Sequence, residues 1–229
     1  LDVAVIYTKT QAVVAGTFTQ NKVAAAPVYV SKEVVATGTA HAIVANAGCA
    51  NACTGQQGLD DAHKMAQIAA DELGVNADDV IVGSTGVIGV NLPMDKLEAG
   101  IKDAVANLSA DGSGNAGRAI ITTDTHSKSV TCEFELSGKT VRMGAIAKGS
   151  GMIRPNMATM LCYITTDIAI DQTLLQKAVS GCVEKSFNMI SVDGDMSTND
   201  MVIVLANGEA NNAKITEENA DYQIFFDKL

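Results

Sequence analysis

Residues 148–167, KGSGMIRPNMATMLCYITTD, join a glycine-rich lead-in with one proline directly to an apolar run, and a hydroxyl residue, Thr159, stands at the join. A threonine can act as a nucleophile without a histidine if the peptide bond before it is cut. Its freed α-amine, with a reference pKa of ~8, then serves as general base. The cut itself requires the Thr159 hydroxyl to reach the Ala158 carbonyl, which asks for a tight approach. Glycines reach unusual dihedrals and Pro155 fixes its own φ. On the residues alone, an ordinary loop entering a strand remains the favoured reading of this stretch.

Other chemistries have less behind them. His41, His63 and His126 are scattered and none lies in an H-E-x-x-H pattern, so surface or supporting roles are favoured and a serine-protease-like triad lacks its base. Cys49 and Cys53 form a C-x3-C with no second pair, which argues against zinc. GSTGVIG lacks the Lys-Ser/Thr that ends a phosphate-binding loop, and GSGMIR has Arg154 where a dinucleotide fingerprint has its third glycine. DGDMSTND opens like a calcium loop, but Thr198 and Val204 stand where that loop needs Gly and Glu. No metal is expected.

Composition narrows the partners. Sixteen basic against 26 acidic residues give a net charge of −10, with no Lys/Arg-rich run, so nucleic acid and anionic membranes are poor partners. The five cysteines are an odd number spread along the chain, suiting a reducing compartment and buried thiols better than a disulfide framework. No apolar run reaches the ~18 residues of a membrane span and no signal peptide is visible, so the expected location is cytoplasmic. The chain opens without Met and stops inside an amphipathic pattern, which reads as a fragment of a longer protein.

The elements that must position these residues alternate between strands and helices. Residues 2–8 and 12–19 read as two strands, with Gly16 at a bulge, and 42–45 as another. Ala62, Met65, Ala69 and Leu73 share a helical face behind an acidic first turn, and Pro93 opens a second helix carrying Met94, Leu97, Ile101 and Leu108. VIVGSTGVIG reads as a buried strand ending in a glycine turn, ADGSGNAG as a loop, AIITT as a strand, and 130–136 with 140–147 as a hairpin. A strand over 159–168, a helix over 172–187 and a strand over 201–206 follow. The fold class expected is α/β (α+β), sheets layered with helices.

KGSGMIRPNMATML, together with STGVIG, TTDT, ANACTG and DGDMSTND, resembles the ornithine acetyltransferase (ArgJ) family, also called bifunctional glutamate N-acetyltransferase, in order and over essentially the whole chain. The resemblance implies a DmpA/ArgJ-like N-terminal-nucleophile-type sandwich. It also implies a precursor cut between Ala158 and Thr159, with 1–158 the alpha chain and 159–229 the start of a beta chain whose remainder lies beyond Leu229. By the same resemblance Thr159 is the nucleophile, Thr85 and Gly86 form the oxyanion hole, and Thr122, Lys148 and Thr159 contact substrate. The implied reaction is ping-pong transfer of acetyl from N-acetylornithine to glutamate, without a cofactor, although some members also accept acetyl-CoA as co-substrate. Alpha and beta chains are expected to assemble as a dimer of heterodimers. Cys49 and Met196 depart from the Asn and Thr expected at their positions. The competing enzyme class is a self-cleaving aminopeptidase or amidase of similar fold.

Overall fold

A computed structural model describes residues 2–154 and 160–229, so Ala158 and Thr159 lie outside the described residues. Seven strands form one sheet: β1 (Asp2–Phe18), β2 (Thr39–Cys49), β3 (Val80–Val87), β4 (Lys128–Leu136), β5 (Lys139–Lys148), β6 (Leu161–Thr166) and β7 (Met201–Ala206), in the order β3-β2-β1-β7-β6-β5-β4. Pairs β2–β3 and β6–β7 are parallel and the rest antiparallel. Strands from both sides of residues 158 and 159 therefore interleave, β6 and β7 lying between β1 and β5.

Alternation along the strands divides the core between the two faces. Ile43, Ile81, Leu161, Tyr163 and Ile203 pack on one face beneath α1 (Ala26–Thr37) and α4 (Ser113–Ala119). Their neighbours Cys162, Ile164, Val202 and Val204 point the other way, against Leu175, Val179 and Phe225 of α5 (Gln172–Lys185) and α6 (Ala220–Lys228). On that second face, farther along the sheet, Val44, Val80 and Val82 meet Met65, Ala69, Leu97 and Ile101 of α2 (Gly55–Leu73) and α3 (Met94–Ala106). The sheet is curled: the Tyr163 hydroxyl of β6 lies so close over Gly83 of β3 that a Cβ there would fall 2.0 Å from it.

Several local expectations are revised. The two strands at the start are one, with an irregularity between Tyr7 and Ala12 absorbing the break. The expected α/β class holds, and among the described residues the strands form a single sheet with helices on both faces. AIITT is no strand: α4 takes in part of ADGSGNAG and runs to Ala119, and buried Ile120 anchors its end in the core. Helix α2 starts at Gly55, so its acidic residues fall beyond the first turn. Leu108 lies past the end of α3 and is exposed. Helix α1 was not foreseen, because PVYVSKEVV is rich in β-branched residues that favour strands. Tertiary contacts override that preference, since Val28, Val34 and Val35 are buried and the Ser31 hydroxyl donates to the Val82 carbonyl at 2.6 Å. Only Cys49 and Cys162 of the five free cysteines are fully buried, the latter thiol pushed up to about 12 by burial.

Candidate active site

Lys148 ends β5 and is only 4% exposed. Its Nζ donates to Thr85 Oγ1 at 3.0 Å and to Thr122 Oγ1 at 3.1 Å, joining three of the residues picked out in the sequence. An ammonium has no acceptor, so each hydroxyl that accepts from it keeps its own O–H for another partner. Burial lowers the Lys148 pKa, with Asp124 and Asp200 acting in the opposite direction.

The TTDT loop follows α4 and is laced to the turn after β5. Thr122 meets Lys148, the Thr123 and Ser150 hydroxyls lie 2.6 Å apart, and the Gly149 amide donates to Asp124 at 2.8 Å. Burial of Asp124 favours its neutral form, but the Lys128 ammonium at 2.5 Å and the Gly149 amide outweigh it and hold the pKa low.

Gly86 directly follows the buried part of β3, which ends at Thr85; its φ is +133°, and a Cβ there would sit 2.3 Å from the Gly48 carbonyl carbon. Only glycine allows β2 and β3 to approach this closely next to Thr85. Gly86→Ala is expected to lower stability by ~2 kcal/mol or more, through left-handed strain and backbone contact together. Urea denaturation measures this, and an unchanged midpoint would contradict the assignment.

A buried polar knot built from Ser197, Thr198, Asn199 and Asp200, the end of DGDMSTND, ties these loops together, a role the sequence reading missed after rejecting a calcium loop there. Asn199 Nδ2 donates to the Ala50 carbonyl at 2.6 Å and the Ser84 carbonyl at 2.9 Å, holding the chain just before Thr85. The Ser84 hydroxyl donates to Asn46, whose amide donates to the Cys49 carbonyl. Cys49 Sγ donates to the Val90 carbonyl, and the main-chain oxygen of Met196 accepts from Asn21. Asp193 accepts from the amides of Met152 and Ile153 at 2.6 and 2.8 Å, which lowers its pKa and holds Met152 at φ +60°. The only signal for these residues in the sequence was the motif match itself.

A cleft of about 1500 Å³ opens between the start of β1, α3, α4 and β4–β5, and none of Thr85, Thr122, Lys148 and Asp200 lines it. Among the described residues no helix is long and apolar enough to cross a membrane.

A mixed sheet with helices on both faces, holding a buried lysine between two threonine hydroxyls at one end, defines an α/β protein of the kind seen in two solved structures. One is the arginine biosynthesis bifunctional protein ArgJ of Bacillus halodurans, 42% identical with TM-score 0.62, covering 69% of this chain and 83% of that one. The other is ornithine acetyltransferase of Mycobacterium tuberculosis, complexed with ornithine, 34% identical with TM-score 0.59, covering 70% and 84%. The chain belongs to the ArgJ family, whose model matches residues 1–229. It is 52% identical over 228 residues to the arginine biosynthesis bifunctional protein ArgJ of Symbiobacterium thermophilum, covering all of this chain and 57% of that protein. The chain thus spans little more than half the length of that relative.

Proposed function

We propose that this chain carries the nucleophile, oxyanion hole and part of the substrate pocket of an enzyme that moves acetyl from N-acetylornithine to glutamate. The observation that carries the reading is the Lys148 ammonium held between the Thr85 and Thr122 hydroxyls. Relatives named for arginine biosynthesis and a structural relative complexed with ornithine support it.

In self-cleavage the Thr159 Oγ bonds to the Ala158 carbonyl carbon and the peptide C–N bond breaks. The hydroxyl proton ends on the departing nitrogen, which becomes the α-amine of Thr159. Water then hydrolyses the ester, leaving the Ala158 carboxylate and a free Thr159 hydroxyl. The same oxygen next attacks the acetyl carbonyl of N-acetylornithine, its proton passing through the α-amine to the leaving ornithine nitrogen. Glutamate's amine then takes the acetyl group from the ester, and the proton returns to Thr159. Thr85 donates its free O–H to the negative oxygen, polarised by the Lys148 contact on its lone pair, and the backbone amide of Gly86 is the second donor. Acetyl-CoA as an alternative donor would load the same ester.

A cut between residues 158 and 159 leaves the two pieces hydrogen-bonded along β1–β7 and β5–β6. That shared sheet supports an alpha and a beta chain that stay together; assembly as a dimer of heterodimers, and a place in the cytoplasm, are proposed on the family membership alone.

Two of the three Lys148 donors go to threonines, and the third suits a substrate carboxylate. Lys148→Met in the full-length enzyme is expected to raise KM for both N-acetylornithine and glutamate, a loss of roughly 1.5 to 3 kcal/mol each. Steady-state kinetics with each substrate varied checks this, and normal KM values would remove Lys148 from that role. The function itself is tested by supplying full-length protein with N-acetylornithine and glutamate. N-acetylglutamate is the expected product, and release of acetate alone would assign the chain to the amidase class instead.

A further inference from the structure

Met160, which follows Thr159 in the chain, is held at both backbone groups by consecutive residues. Its N–H donates to Asp200 Oδ1 at 3.0 Å, and its carbonyl accepts from the Met201 amide at 3.0 Å. Asp200 is 0% exposed. Its main-chain carbonyl is also engaged, by the Thr19 amide at 2.9 Å. Its other carboxyl oxygen, Oδ2, is buried with no hydrogen-bond partner among the described residues. From the same loop Asp193 grips Met152 and Ile153, so one segment holds the chain on both sides of residues 155–159.

A carboxylate in this position would leave one charged oxygen, Oδ2, buried without a hydrogen bond, which is costly. The uncharged acid avoids that cost and turns the orphan acceptor into a donor. We propose that Asp200 is a positioning residue of the nucleophile centre that works as an uncharged carboxyl, Oδ1 fixing the amide of Met160, the residue after Thr159, while Oδ2 carries the proton. The proposal rests on Thr159 being the nucleophile.

Burial keeps Asp200 neutral against the groups that face it. Burial raises its pKa to about 8, while the Ser197 side chain, the Met160 amide and the Lys148 ammonium from β5 act in the opposite direction. The charge of Lys148 is directed at two threonines. The sign of the linkage follows. Native Asp200 keeps its proton where an unfolded carboxyl, at 3.8, has lost it, so its contribution to stability is complete below pH 3.8 and is lost as pH rises to about 8.

The test compares full-length wild type, Asp200→Asn and Asp200→Ala. Asparagine keeps an acceptor and a donor but cannot ionise. The Tm of wild type is expected to fall relative to Asp200→Asn between pH 4 and pH 8. Asp200→Ala strands the Met160 amide and is expected to slow self-cleavage by ~10-fold or more, with Asp200→Asn recovering most of that loss. Wild-type turnover is expected to decline with a midpoint near pH 8, and this decline is absent in Asp200→Asn. A Tm difference that does not change with pH would overturn the neutral state. An Asp200→Asn enzyme as slow as Asp200→Ala would show that the carboxylate is required and overturn the role. The Tm and cleavage measurements need no acetyl transfer, so a pH-dependent Tm difference with rescued cleavage in a protein that does not use N-acetylornithine upholds Asp200 and overturns only the substrate assignment.

Discussion

Full-length protein carrying Thr159→Ala is expected to remain a single uncut chain under denaturing conditions and to transfer no acetyl group, whereas wild type separates between residues 158 and 159. Losing a covalent nucleophile typically costs ~10⁴-fold or more in turnover, the residue of activity coming from the oxyanion donors and binding alone. The support lies in what flanks the junction. On one side Met152 is held in a left-handed conformation that a β-carbon disfavours, by the Asp193 carboxylate. On the other, Met160 is pinned by Asp200 and Met201. Strain before the junction and anchorage after it are what an intramolecular attack needs. Mass spectrometry of both proteins reads the outcome directly. Co-expressing residues 1–158 with a second chain that begins at Thr159 separates the two roles, because such a protein needs no cutting yet should transfer acetyl. An uncut wild type with full activity, or an alanine variant that still cuts, would exclude Thr159.

Thr85→Ala is expected to lower turnover by ~10²-fold or more while leaving KM nearly unchanged, since a donor aimed at an oxyanion acts in the transition state. The assay belongs on protein already shown to be cleaved, because under the proposed assignment the same donor would also serve the self-cutting step. Removing the hydroxyl also deprives the buried Lys148 ammonium of one of its two acceptors. Part of any loss could therefore come through Lys148. Thr85→Ser keeps the oxygen and separates the cases: it should retain most of the turnover, while Thr85→Val should behave like alanine. An unchanged turnover number in cleaved Thr85→Ala protein would remove Thr85 from the oxyanion hole.

Much of this fold is written in local pattern. Short continuous apolar runs mark β6 and β7, because both faces are covered: Cys162 and Ile164 face one layer of helices and Leu161 and Tyr163 the other. Period-3.6 spacing marks α2, and Lys139–Lys148 pairs with Lys128–Leu136 as a hairpin. Pattern failed where packing overruled propensity. The β-branched run of α1 became helical because its valines fill the space over β2 and β3, and AIITT was not drawn into the sheet because Ile120 is buried beneath it.

The sequence by itself determined the kinds of residue available for chemistry: a threonine after a glycine-rich lead-in, a second threonine followed by a glycine, a third in TTDT, and a lysine. It also determined the strands that carry Thr85 and Lys148, because side-chain pattern is a local property, but not the setting of Thr122, which lies in a loop after α4. What it could not determine is that Lys148 and Thr85, 63 residues apart, share a hydrogen bond, or that Asn199 and Asp200 reach the Ser84 carbonyl and the Met160 amide. Those meetings depend on the curl of a seven-stranded sheet that brings β3 over β5 and β6, and on a polar loop buried where it closes. Only the tertiary structure decides them, because burial, and with it the cost of each unpaired charge or hydroxyl, is set by the whole chain at once.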